Sequence, residues 1–304
     1  MATVERNLVK TASAGEPTPL RSGALAPQSR MRLGEILVAS GQMTTAQVDK
    51  VLEAQASTDR RFGEIAIRLG FVKREQVDKA LGLQFGYSSS ETEARVPAGL
   101  TVVAKPASPF SEALRGLRSQ LALRWFDGTV GQCTLAITSV DRGDGKSFVT
   151  ANLGVVFSQL GQRTLVIDAD LRHSTQHTLF GLPNRMGLSG ILSGRAGFEE
   201  ILEVQRVSNL SVLPAGPQPP NPLELLGRDT FPMLLHELSS RFDVILIDTP
   251  SAQQASDAQI IAERAKGALI VARKDTTKTS ELGQLAAILG STGVTLLGTM
   301  LNEY

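Results

Sequence analysis

Residues 139 to 154 read SVDRGDGKSFVTANLG and follow directly on the apolar run CTLAITS, residues 133 to 139. Gly143 and Gly145 free the backbone to turn its N–H groups toward a phosphate, Lys146 brings a point charge for β and γ phosphates, and Ser147 offers a hydroxyl to Mg²⁺. Asp144 and Phe148 complete the stretch expected to line the phosphates of ATP. Val140 stands where such loops usually carry their first glycine. Two more apolar runs end in carboxylates: LVIDADLR (165 to 172) in Asp168 and Asp170, and VILIDTP (244 to 250) in Asp248. Carboxylates at the carboxyl ends of parallel strands border the ligand crevice. A single Asp after a strand more often caps the next loop. Three such ends, in this order after a GK-Ser loop, point to nucleotide–Mg²⁺ binding.

The elements that must hold these residues are visible in the hydropathy. Short apolar runs at 133–139, 163–170, 210–216, 243–249, 267–273 and 295–301 alternate with amphipathic stretches, as a parallel sheet buried on both faces requires. The region from 110 to 304 is therefore expected to be a doubly wound α/β domain with a mostly parallel sheet, of the P-loop NTPase class. Residues 1–30 read as a disordered leader, 31–86 as a separate helical module, and 87–109 as a linker in which LTVVA has the composition of a short edge strand.

The helical module is a repeat. RLGEILVASGQMTTAQVDKVLEAQ (32 to 55) and RFGEIAIRLGFVKREQVDKALGLQ (61 to 84) share eleven identical positions across a five-residue spacer. Each unit reads as a short helix closed by a glycine, Gly41 or Gly70, and then a second helix; Thr44 with Gln47 forms a capping box. Leu33, Ile36, Leu37, Val48, Val51 and Leu52, with Phe62, Ile65, Val77 and Leu81, form the expected core of a four-helix module. Duplication for packing leaves unexplained why Arg32 and Arg61, Gly34 and Gly63, and Gln55 and Gln84 recur. Arginine can clamp phosphate or stack on a base, and an adjacent glycine admits a close ligand.

Composition narrows the classes. Lys and Arg total 31 against 30 Asp and Glu, so no global field recommends a nucleic-acid polymer or an anionic membrane as partner. One cysteine, Cys133, fits a reducing compartment. No run of about 18 apolar residues is present to span a bilayer; a cytoplasmic protein is expected. His173, His177 and His236 lack companions for a zinc site.

DRGDGKS, DADLR and IDTP resemble the Walker A, A′ and B motifs of the bacterial tyrosine kinases that control polysaccharide chain length. SEALRGLRSQL matches that family's Glu-x-x-Arg-x-x-Arg helix through Glu112, Arg115 and Arg118. The likeness spans roughly residues 108 to 304, including PPNPLELLGRDTF and the closing LGTMLN. It implies phosphoryl transfer from ATP to tyrosine, with Lys146 and the loop amides on the phosphates and Ser147 and Asp170 ordering Mg²⁺. Asp248 acts directly or through water, Asp168 is the implied general base, and Arg172 completes the A′ motif. It also implies a homo-oligomeric ring in which Glu112, Arg115 and Arg118 pair across subunits; their spacing equally suits intrahelical pairing. Min- and partitioning-type ATPases carry an extra lysine where this chain has Asp141, although Arg142 adjoins it, so an ATPase switch without kinase activity stays as the alternative. The family's tyrosine-rich tail is reduced to Tyr304, the implied phosphoacceptor, with Tyr87 the other tyrosine of the chain.

The repeat resembles the MshEN domain of secretion and pilus ATPases, which implies a cyclic di-GMP site at Arg32, Leu33, Gly34, Gly41, Gln55, Arg61, Gly63, Gly70 and Gln84. Relatives of that domain also serve as docking adapters without a ligand. Together the halves resemble the EpsG-type kinases of exopolysaccharide loci. That likeness implies a membrane-spanning chain-length regulator as partner and peripheral attachment to the inner membrane through it.

Overall fold

A computed structural model describes residues 31–58, 60–84, 99–129, 131–205, 207–253 and 256–303. Tyr87, Tyr304 and the leader 1–30 lie outside the described residues.

The repeat forms four helices, α1 (Leu33–Ala39), α2 (Thr45–Ala56), α3 (Phe62–Arg68) and α4 (Arg74–Gln84). The capping box on α2 is present: Gln47 N–H donates to Thr44 Oγ1, and the Thr44 N–H donates to Gln47 Oε1 at 2.8 Å. Gly41 and Gly70 close α1 and α3 at φ +67° and +71°, the left-handed turn that a side chain resists. α1 packs on α4 and α2 on α3, so the units exchange partners. Their shared core holds Ile36, Leu37, Met43, Val51, Ile65, Ala66, Val72, Val77 and Ala80. Leu52, expected inside, is half exposed: it sits on the outer side of α2, next to Val51, which takes the inward place.

Beyond the linker, α5 (Thr101–Ala104) and α6 (Pro109–Arg124) precede the sheet. LTVVA is thus a helical turn, not an edge strand. Leu100 and Val102 are buried in the core of the larger domain, and Asn152 accepts from the Val102 N–H at 3.0 Å. The domain therefore begins by residue 99, earlier than its apolar periodicity indicates. Ser108 caps α6 by accepting from the Ser111 N–H, with Pro109 at the first helical position.

The remaining elements alternate: β1 (Thr134–Ser139), α7 (Lys146–Ser158), β2 (Thr164–Asp168), α8 (Gln176–Phe180), α9 (Gly187–Leu192), β3 (Leu202–Glu203), β4 (Leu210–Leu213), α10 (Pro222–Gly227), α11 (Thr230–Ser239), β5 (Val244–Asp248), α12 (Asp257–Ala265), β6 (Gly267–Arg273), α13 (Thr279–Ser291) and β7 (Thr295–Asn302). The described strands form one sheet in the order β3-β4-β2-β5-β1-β6-β7. All pairings are parallel except that of the two-residue β3 with β4. Alternate strand residues serve opposite faces. Ile245 and Ile247 join the core under α9 to α13, and Val244 and Leu246 join the one under α5 to α7. This double cover is why the strands read as unbroken apolar runs. It also brings the carboxyl ends of β1, β2 and β5 side by side at the sheet's centre.

Candidate functional site

The loop from β1 to α7 turns at Gly143 and Gly145, with φ of +94° and +95°. A Cβ built on Gly143 would meet no heavy atom within 4 Å beyond the neighbouring residues, so the loop leaves space on that side. Gly145 caps α7 without a side chain, which leaves the first N–H groups of a 13-residue helix for an anion. Val140, in place of the usual glycine, is buried in the core under the loop.

Asp144 is engaged within the chain. Its carboxylate accepts from the Asp141 N–H and the Thr277 hydroxyl, both at 3.0 Å, and its backbone carbonyl accepts from Asn302 Nδ2 at 3.0 Å. The loop is thereby tied to the ends of β6 and β7. Thr277 and Asn302 were not singled out from sequence, although Asn302 closes the LGTMLN stretch. Phe148, expected along the phosphates, stacks its ring on Phe110 of α6 at 5.2 Å.

Lys146 is buried and holds its ammonium 3.7 Å from Asp170 Oδ2. The other Asp170 oxygen accepts from the N–H groups of Arg172 and His173. Asp168 and Asp248 face each other in register across β2 and β5, both wholly buried. Burial, and then the charge of Asp248, push the Asp168 carboxyl well above the ordinary carboxylate range, while amide bonds from Gln176 and Thr175 pull it back. Burial also raises Asp248, and the Lys146 charge opposes it. Asp248 Oδ1 is a buried acceptor without a hydrogen-bond partner.

Two expected roles change. Asp168 accepts from Asp170 N–H through one oxygen and from Thr175 and Gln176 N–H through the other. A carboxylate spent on three amides holds the segment 170–176 in place; in this structure it acts as a cap rather than as a free base. Arg172, expected at ATP, forms a two-pronged pair with the buried Asp257 of α12 at 2.8 and 3.3 Å. Of the α6 triplet, Glu112 and Arg115 form an ion pair along the helix, and Arg118 donates to the Val156 carbonyl of α7 at 2.9 Å. These contacts are all within the chain.

Among the described residues, no group of three or more His, Cys, Asp or Glu could hold a metal unaided. Mg²⁺ keeps several waters and shares its shell with phosphate and one or two carboxylates. Ser147, Asp170 and Asp248 are the residues here that could hold such an ion together with phosphate and water. No described helix is long and apolar enough to cross a membrane.

In the repeat module, Arg32 and Arg61 are exposed and occupy equivalent N-cap places, with ψ of 155° and 146°. Gly34 and Gly63 lie in the first turns of α1 and α3 and are buried. A Cβ on Gly34 would meet Phe62 and Val48 at 3.2 Å, and one on Gly63 would meet Val77 at 2.7 Å and Leu33 at 3.6 Å. Leu33 and Phe62, like Val48 and Val77, are equivalent repeat positions, so packing within and between the units accounts for both glycines. Gln55 donates to the Arg60 carbonyl at 3.1 Å. The Gln84 side chain lies outside the described residues.

Comparison with known proteins agrees with this geometry. The CobQ/CobB/MinD/ParA nucleotide binding domain family matches residues 135–262. The putative tyrosine-protein kinase CapB of Staphylococcus aureus is 38% identical over 199 residues, 66% of this chain and 86% of CapB. The solved kinase domain of Escherichia coli tyrosine kinase ETK superposes with a TM-score of 0.66 at 31% identity, covering 72% of this chain and 85% of that one. A MinD from Pyrococcus horikoshii, solved with Mg-ADP, follows at a TM-score of 0.50 and 27% identity, covering 56% of this chain and 70% of its own. With the three phosphate-site motifs at one sheet edge and a relative matched over most of its length, the chain belongs to the bacterial tyrosine-protein kinase family.

Proposed function

We propose that this kinase transfers the γ-phosphoryl group of ATP to Tyr304 of its own chain and thereby regulates the polymerisation, chain length and export of an exopolysaccharide. One observation carries the reading: Lys146, Asp170 and Asp248 converge beside an open glycine loop at the carboxyl edge of the sheet. Phosphoryl transfer asks a protein mainly for positioning and charge neutralisation. Lys146 and the first N–H groups of α7 hold the phosphates, and the Ser147 hydroxyl with Asp170 and Asp248 orders Mg²⁺. Mg²⁺ held there would supply charge neutralisation to the phosphates. Asp168, held by three amides, keeps Asp170 in place. Incubation with labelled Mg-ATP tests the acceptor: Tyr304→Phe removes the accepting hydroxyl and is expected to lose most of the incorporated label. Full labelling of that variant would place the acceptor elsewhere.

Asp141 at the position of the extra lysine, and the closer likeness to ETK than to MinD, favour kinase over a Min-type switch. The wider proposal places the chain in the cytoplasm as a homo-oligomer, attached to the inner membrane through a membrane-spanning chain-length regulator. It gives the repeat module, as in EpsG-type kinases with an MshEN-like domain, a cyclic di-GMP site centred on Arg32 and Arg61. The exposed, equivalent places of these arginines support that site, whereas Gly34 and Gly63 have a packing role that needs no ligand. Calorimetry with cyclic di-GMP is expected to give a binding isotherm on the wild type and none on Arg32→Ala/Arg61→Ala. No heat from the wild type would reduce the module to a docking adapter. If the ligand acts on the kinase, its affinity must also change with ATP occupancy, because coupling is reciprocal.

A further inference from the structure

Gln176 belongs to none of the motifs that mark the site, yet it touches all three. It is wholly buried at the start of α8. Its backbone N–H donates to Asp168 Oδ2 at 2.9 Å. Its side-chain amide donates to Asp248 Oδ2 at 2.8 Å and to the Ser147 carbonyl at 3.0 Å. One residue thus joins the strand ends of β2 and β5 to the first turn of α7.

What the amide leaves unused matters as much. Gln176 Oε1 and Asp248 Oδ1 are both buried acceptors without a hydrogen-bond partner. Folded proteins seldom leave two such atoms on adjoining side chains, since each carries the full desolvation cost. A residue that only packed here could be apolar. A hydrated divalent cation is rich in donors and ligand sites and poor in acceptors, the complement of this pair.

We infer that Gln176 is a positioning residue for the metal side of the site. Its NH₂ group pins Asp248 Oδ2 to the Ser147 turn, which presents Oδ1 to the cation. Its Oε1 accepts from the cation's water shell. The inference rests on the nucleotide–Mg²⁺ reading above and adds a residue through which the carboxylate acts.

The test is calorimetric titration of ADP into the full chain, once with EDTA and once with MgCl₂, for wild type, Gln176→Met and Gln176→Glu. Methionine keeps the volume without the hydrogen bonds. Glutamate keeps the shape and replaces the donor facing Asp248 by an acceptor. The quantity read is the ratio of ADP affinity with and without Mg²⁺. For Gln176→Met the ratio is expected to fall about tenfold, the scale of one hydrogen bond to a charged group, with the EDTA affinity within about twofold of wild type. In Gln176→Glu the ratio must also move by several-fold. A merely structural role would weaken both affinities together and leave the ratio intact; an unchanged ratio in either folded variant overturns the inference. A wild-type ratio of one would instead remove the Mg²⁺ reading itself.

Discussion

Lys146→Met is expected to reduce tyrosine phosphorylation and ATP turnover by about 10²–10³-fold, the scale of removing one preorganised charge from a developing anion. Lys146 is the ammonium buried between the glycine loop and Asp170, and methionine matches its volume while removing its charge. The fold is expected to survive. Asp170 loses a cation 3.7 Å away but keeps the N–H donors of Arg172 and His173, so it is not left as a bare buried charge. ADP calorimetry and phosphotyrosine detection on a variant with a cooperative melting transition make the check. Turnover within tenfold of wild type would remove Lys146 from the site.

Asp248→Asn is expected to move stability and activity in opposite directions. Asp248 and Asp168 are two buried carboxyls facing each other in register. Both are raised, by burial first. For an acid whose folded pKa exceeds its unfolded value, the stability it contributes is complete below the ordinary carboxylate range and is lost as pH rises through the folded value. At neutral pH the pair therefore strains the fold. Asparagine keeps an acceptor for the Gln176 amide and deletes one charge. The melting temperature is expected to rise by about 2–4 °C for each kcal/mol relieved, in a domain of roughly 200 residues. The gap over wild type should widen with rising pH and close toward acid. Mg²⁺-dependent turnover is expected to fall by about 10²-fold or more, a trade of stability against function. A variant melting below wild type at neutral pH would contradict this account of the pair.

The sheet and its site strands were legible in the sequence because burial on both faces leaves unbroken apolar runs, and each expected run became a strand. The two-residue β3 left no such trace. That Lys146, Ser147, Asp170 and Asp248 gather at the carboxyl edge of the sheet was legible because each stands at or just after the end of an apolar strand run. Contacts made across long sequence separations were hidden. Gln176 reaches Asp248 over 72 residues, and Asn302 reaches Asp144 over 158; neither residue type announces such a bond. Arg172 read as a ligand residue because its partner, Asp257, lies 85 positions away. Gly34 and Gly63 were conspicuous as repeated glycines, but their role appears only once Leu33, Val48, Phe62 and Val77 are seen to interlock.

On the proposed function, this sheet edge delivers phosphate to tyrosine and not merely to water. The direct measurement is phosphopeptide mapping of the wild-type chain after incubation with Mg-ATP, alongside phosphate release, with Lys146→Met as the blank. Phosphotyrosine is expected at Tyr304 and absent from the blank. Steady phosphate release with no phosphate on Tyr304 or Tyr87 would contradict it.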